Sequence, residues 1–364
     1  MKKNHLIIFA VLIVLLLAGC SSGQANPTDV DVPEDVPVQI PEDKDEELPD
    51  EPLEVPVVED PVEEIDLSLK PNELGEIMIL MYHGIGDEEL VWQRTPENFR
   101  KDLQYMYDNK YQMISLNDYA KGRINTKAGY TPIILTFDDG RQNNFNYLEQ
   151  NGELVIDPNS AVGIMEEFKK KYPDFNVTAS FFLGTNPFGQ PEHFEKKLKW
   201  LVENGYDIGN HTYSHNEIAE LNSEQIQAEI GSVNNIIKKY LPEYAVETLA
   251  LPHGSNPVDE FKSSILGGEY EGNKYKTIAV LDVGWRPAYS PFDTLTDFTS
   301  LYRVTASEIN VDNCGIYDYF KSFENNTRER FISDGNPDIV TIPKKHEKYL
   351  NMEIVGDKAV NIYE

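Results

Sequence analysis

Apolar and polar positions fall into a repeating block pattern from about residue 76 to the end of the chain. Compact apolar runs bounded by turn residues occupy Ile77–Tyr82, Pro132–Phe137, Val177–Leu183, Thr248–Leu251 and Thr277–Val283, and these predict buried β-strands. Between them, Pro96–Asn109, Ala161–Tyr172, Pro191–Asn204 and Ser223–Tyr240 predict amphipathic helices. A strand followed by a helix, several times over, predicts an α/β fold with parallel strands in a barrel or open sheet. Functional loops should then gather at the strand C-termini.

The first 75 residues follow neither period. Lys2 and Lys3 precede an apolar run from Leu6 to Leu17, then Ala18, Gly19 and Cys20. The run is too short for a comfortable spanning helix and has the form of a secretory signal, residues 1–19. Leu17-Ala18-Gly19-Cys20 resembles the bacterial lipobox, which implies lipidation of Cys20 and anchoring to a membrane outside the cytoplasm, facing the cell wall. The other reading is an ordinary cleaved signal beside a chance cysteine.

Residues 20–75 form an acidic, Pro-rich stretch, with Lys44 as the only base up to about residue 66. Its like charges repel and it has little apolar surface to bury, so it reads as a tether to a folded domain at 76–364. At ~3.1 Å per extended residue it spans on the order of 100 Å. The formal net charge of -30 belongs partly to this tether, and it argues against nucleic acid as a partner. With Cys20 assigned to the anchor, Cys314 has no disulfide partner and reads as a small buried hydrophobe.

Two short segments carry the chemistry. Thr136-Phe137-Asp138-Asp139-Gly140 ends an apolar run, so its adjacent carboxylates point in different directions: one is free to bind a cation while the other addresses a water. Taken alone, it reads equally well as a solvated turn with helix-capping Asp residues. Gly209-Asn210-His211-Thr212-Tyr213-Ser214-His215 places two of the chain's 7 histidines four apart, so that on a helical turn both rings lie on one face and share a metal.

Together these segments resemble the first two motifs of the polysaccharide deacetylase family, also called the NodB homology domain or carbohydrate esterase family 4. The resemblance implies a distorted (β/α) barrel of the NodB homology type that hydrolyses N-acetyl groups of a glycan. It implies Asp139, His211 and His215 as ligands of a divalent metal, Zn first with Co, Ni or Mn as alternatives, and Asp138 as general base. In the third motif Pro252, His253 and Gly254 stand at substrate-binding positions, but Ala250 replaces the arginine that orients the base. Trp285 stands where a wall of the acetyl pocket is expected, with core packing as its other reading. The family's Leu-x-His motif, source of the general acid, is not found.

Met81-Tyr82-His83 resembles the first strand of the poly-N-acetylglucosamine deacetylase branch, which implies His83 as the acid, with His253 as second candidate. The implied substrate is peptidoglycan, at its GlcNAc or MurNAc residues, or a chitin-like glycan. A catalytically impaired, metal-retaining glycan-binding lipoprotein and an acetylxylan-type esterase are the competing readings.

Overall fold

The computed structural model describes residues 64–185 and 187–364. The signal-like segment, Cys20 and the acidic stretch up to residue 63 lie outside the described residues.

Eight strands form the central sheet: β1 (Met78–Tyr82), β2 (Tyr111–Met113), β3 (Thr131–Phe137), β4 (Ser180–Leu183), β5 (Asp207–Asn210), β6 (Thr248–Ala250), β7 (Ala279–Leu281) and β8 (Val304–Thr305). They lie in the order β7-β6-β5-β4-β3-β1-β8, with β2 beside the first half of β3, and every pairing is parallel. The sheet then returns on itself. Leu301, just ahead of β8, bridges Leu281 at the end of β7; its N–H donates to the Val280 carbonyl at 2.8 Å, and its carbonyl accepts from Asp282 N–H at 3.0 Å. Residues 301–305 thus pair with β7 through their first member and with β1 through their last two. The expected (β/α) barrel is what the chain builds.

Burial on both faces explains the near-continuous apolar runs in these strands. Ile79, Ile134, Phe182, Ala250, Leu281 and Leu301 belong to one cluster, while Met78, Leu80, Leu135, Phe181 and Leu183 pack on the other side against helix residues such as Phe99, Leu103, Ile164 and Leu198. Those helices start at residues suited to the task. α1 (Pro96–Asp108) follows Thr95, whose hydroxyl accepts from Asn98 N–H, and has Pro96 in its first turn. α2 (Ala161–Lys171) follows Ser160, and α4 (Ser223–Tyr240) carries a capping box of Asn222 and Gln225. α3 (Phe194–Glu203) is preceded by a separate 3-10 turn at Pro191–His193, and His193 supplies no capping hydrogen bond. α5 (Ile316–Glu324) closes the set.

The sequence period overran some elements and missed others. Val177–Leu183 and Thr277–Val283 shorten to β4 and β7. β2 and β8 are too short to show a period at all. The folded unit also begins ahead of the Glu76 boundary: Asn72, Glu73 and Leu74 are buried, and the Glu73 carboxylate accepts from Thr341 N–H at 3.0 Å. Among the described residues no helix is long and apolar enough to cross a membrane.

Closure requires close backbone approach at Gly284, where a Cβ would overlap the backbone N and O of Arg303. Gly284→Ala should therefore lower the urea unfolding free energy by about 1–3 kcal/mol. Gly267→Ala, where the added Cβ meets only Tyr275 O at 3.4 Å, should change it by less than ~0.5 kcal/mol. Equal midpoints for the two variants would contradict the tight closure.

Candidate active site

Side chains alternate along a strand, so the row Ile134, Thr136, Asp138 points into the barrel from the end of β3. Asp138 is buried, and its counter-charge arrives from the closing segment. Both guanidinium ends of the buried Arg303 donate to it, Nη1 to Oδ1 and Nη2 to Oδ2, each at 2.8 Å. Arg303 is itself fixed by Nε donating to the Asp282 carbonyl at 2.8 Å and Nη1 donating to Thr136 Oγ1 at 3.2 Å. Burial pushes the Asp138 carboxyl up, but the charge and hydrogen bonds of Arg303 outweigh it and hold the group below the ordinary aspartate value. Asp138 is therefore an ionised carboxylate with a fixed orientation.

Asp139 has φ 70°, which turns its side chain away from that of its neighbour. Its Oδ1 lies 3.3 Å from His211 Nε2 and 3.4 Å from His215 Nε2, while Oδ2 accepts from Arg141 Nε and Nη2 at 2.9 and 2.8 Å. Although burial opposes it, the imidazoles of His211 and His215, the hydrogen bonds from Arg141 and the nearby His83 hold Asp139 far below the usual carboxylate range. The hydrogen bond to Asp139 in turn raises His215, so this position favours positive charge.

The two histidines do not sit on a helical turn, as their spacing predicted. They occupy a loop after β5, with Thr212 at φ 61° and His215 at φ 56°. The loop is pinned from below: Thr212 N–H donates to Asn210 Oδ1 at 2.8 Å, and Asn210 Nδ2 donates to Ile230 O and Asn234 Oδ1. Left-handed backbone at non-glycine residues costs on the order of 1–3 kcal/mol each and persists where surrounding contacts over-determine it.

The cluster suits a divalent cation. One ligand atom from each of Asp139, His211 and His215 lies within 4.8 Å of the others. His211 Nδ1 is 2.9 Å from the Ala250 carbonyl, so that nitrogen carries the proton and Nε2 keeps its lone pair for a ligand. Ala250 thus contributes through its backbone, and the arginine missing from its side-chain position is replaced by Arg303, 53 residues later in the chain.

The remaining predicted residues divide. His83, at the end of β1, faces the charges of Asp138 and Asp139, and its ring lies 4.9 Å from that of Trp92. Burial nevertheless pushes it down to about 4, despite both carboxylates. Burial thus works against the expectation that His83 holds its proton while Asp138 is ionised. His253 is exposed, and its ring lies 4.7 Å from that of His215. Pro252 is buried and Gly254, at φ 65°, packs on Val283. Trp285 is 63% exposed, and its indole makes no aromatic or cation–π pairing among the described residues. Arg303 and Arg141 were not anticipated. The one signal for Arg303 is a charge set inside the apolar-flanked stretch Leu301-Tyr302-Arg303-Val304. Cavity size is no guide, since the cavity of about 630 Å³ lined by Lys110, Arg328 and Tyr363 contains none of these residues.

Fold and site together define an α/β barrel with a candidate divalent-metal centre beside a clamped carboxylate. Residues 125–264, a span that holds both motifs, match the family model described as polysaccharide deacetylase. A curated relative, the peptidoglycan-N-acetylglucosamine deacetylase of Bacillus cereus, is 28% identical over 179 residues, covering 48% of this chain and 54% of the relative. The chain thus spans about half the length of that relative. Among solved structures, a polysaccharide deacetylase from Bacillus cereus aligns with TM-score 0.49 at 16% identity, covering 68% of each chain. The Streptococcus pyogenes deacetylase PplD aligns with TM-score 0.47 at 18% identity, covering 63% of this chain and 91% of that one.

Removing the clamp should reverse the ionisation of Asp138. In wild type the depressed carboxyl contributes stability that is present above the unfolded aspartate value of about 3.9 and is lost as pH falls through the lower folded value. In Arg303→Met, burial is opposed only by His211 and His83, so the folded value rises and protonation stabilises the variant as pH falls. Arg303→Met should cost about 3–5 kcal/mol near pH 8 by urea unfolding, with the deficit shrinking toward pH 5. A deficit independent of pH would show that Arg303 does not set the charge on Asp138.

Proposed function

We propose that the protein is a divalent-metal-dependent N-deacetylase of cell-wall glycan, acting on peptidoglycan. The observation that carries the reading is the ionised, Arg303-clamped Asp138 immediately beside the Asp139, His211 and His215 cluster. The match of residues 125–264 to the deacetylase family model and the curated relative's name support the reaction class and the substrate. The lipobox-like Cys20 and the acidic stretch behind it favour a lipid-anchored location outside the cytoplasm, where the wall is the first polymer met.

Asp139, His211 and His215 would hold the cation, with Zn the leading candidate. Such an ion supplies Lewis-acid polarisation of the acetamide carbonyl and of the attacking water. Arg303 keeps Asp138 ionised and aimed, so the carboxylate takes the proton released as water adds to the carbonyl carbon. Because the carboxyl is held low, its protonated form is a strong acid and returns that proton to the departing sugar nitrogen as the C–N bond breaks. One carboxylate then serves both proton transfers. His83, neutral, contributes a hydrogen-bonding imidazole rather than a stored proton. Arg141 holds the Asp139 oxygen that the histidines do not approach.

Metal analysis of the purified full-length protein should find about one divalent ion, and His211→Ala or His215→Ala should lose both the ion and turnover on peptidoglycan. Unchanged metal content in those variants would remove the basis for the centre.

Asp138→Asn should keep the metal while losing about 10²–10⁴-fold in turnover. His83→Ala should lower turnover but leave any alkaline limb of the pH profile where wild type has it, because a group titrating near 4 is already neutral there. Disappearance of that limb in His83→Ala would identify His83 as the protonated acid and exclude the shuttle.

A further inference from the structure

The ledge beside His83 has features that the reaction does not use. Trp92 is 41% exposed, yet its backbone is tied down closely. Its carbonyl accepts from Gly84 N–H at 3.2 Å and from Arg141 Nη1 at 3.5 Å, the same guanidinium that holds Asp139. Two residues on, Arg94 is buried, with Nε donating to Asp102 Oδ2 at 2.9 Å and Nη1 bound to Glu89 and Glu308. Asp102 also accepts from the hydroxyls of Tyr82 and Tyr317 at 3.1 and 3.0 Å. A charge network of this size fixes the short pairing of Gly84–Ile85 with Gln93–Arg94, and so fixes the backbone from which the indole projects.

Polar groups converge next to it. Gln93 Oε1, Arg141 Nη1 and Asn143 Nδ2 all lie within 3.2–3.3 Å of the point where a Cβ on Gly84 would be. Asn143 Oδ1 and His83 Nδ1 are buried and have no hydrogen-bond partner among the described residues. An aromatic surface on a rigid backbone, with amide and guanidinium groups beside it, matches a pyranose ring, which offers an apolar C–H face and a belt of hydroxyls. Because the backbone that carries the indole is already fixed, little main-chain freedom is lost on contact.

We propose that Trp92 is a sugar-stacking platform for the ring adjacent to the one being deacetylated, and that it makes the protein selective for oligomers over monomers. The proposal rests on the deacetylase reading for its placement beside the reacting sugar, but stacking itself is testable without turnover.

The test uses the full-length protein with the N-acetylglucosamine pentamer and monomer. Trp92→Ala should raise KM for the pentamer about tenfold with kcat little changed, Trp92→Phe should restore most of the loss, and kcat/KM for the monomer should stay at the wild-type value. In Asp138→Asn protein the pentamer should alter tryptophan fluorescence, and adding Trp92→Phe should abolish that change. An unmoved pentamer KM in Trp92→Ala, or no fluorescence change on adding pentamer, overturns the platform. So does an equal fall in kcat for both substrates, which would mean that Trp92 only positions His83. A pentamer-dependent Trp92 signal in a wild type that deacetylates neither sugar leaves the platform standing and rejects the deacetylase reading instead.

Discussion

The active end of this barrel depends on one buried ion pair, the Arg303 guanidinium forked onto Asp138. A carboxylate alone at that depth would protonate or unfold its surroundings, because transfer of an unpaired charge from water costs far more than one interaction returns. Two parallel 2.8 Å hydrogen bonds resolve this and leave lone pairs on each oxygen for chemistry. They also fix direction, since a fork admits only one orientation of the plane it grips. The same residue reaches Thr136 and Asp282, so Asp138, β3 and the end of β7 are held by a single side chain.

Charge around the neighbouring Asp139 is divided in a complementary way. One oxygen faces the two imidazoles and the other faces Arg141, so the carboxylate stays ionised without losing the edge that a cation would occupy. Adjacent aspartates thereby acquire distinct roles from their surroundings alone. The left-handed turn at Asp139 makes this possible, since regular extended backbone would carry the ladder onward rather than split the pair outward from it.

Most of the architecture was legible in the block pattern, because strands buried on both faces and long amphipathic helices leave strong periodic traces. α4 was legible to the residue, as its capping residues flank a long regular period. The cluster of Asp139, His211 and His215 was legible as a set of residue types, but its backbone was not: i, i+4 spacing suits a helical turn, and only the pinned loop shows another way for two rings to meet. Arg303 was illegible for a different reason. Interior positions on neighbouring strands of a closed barrel are nearly equivalent in space, so a guanidinium lost from the position of Ala250 can return on another strand without leaving a motif behind. The protonation state of His83 depends on depth of burial, which no local pattern reports.

Closure by residues 301–305 has a consequence for how the molecule assembles. Asp138 and Arg303 are 165 residues apart in the chain, and contacts of such long range form late in folding. Before they form, β1 and β7 each present an open edge able to pair with another molecule. Asp139, His211 and His215, all earlier in sequence, can be in place while Asp138 still lacks its partner. Docking of this one short segment therefore seals the aggregation-prone edges and creates the oriented carboxylate in the same event, so a chain arrested before residue 303 is both sticky and chemically silent.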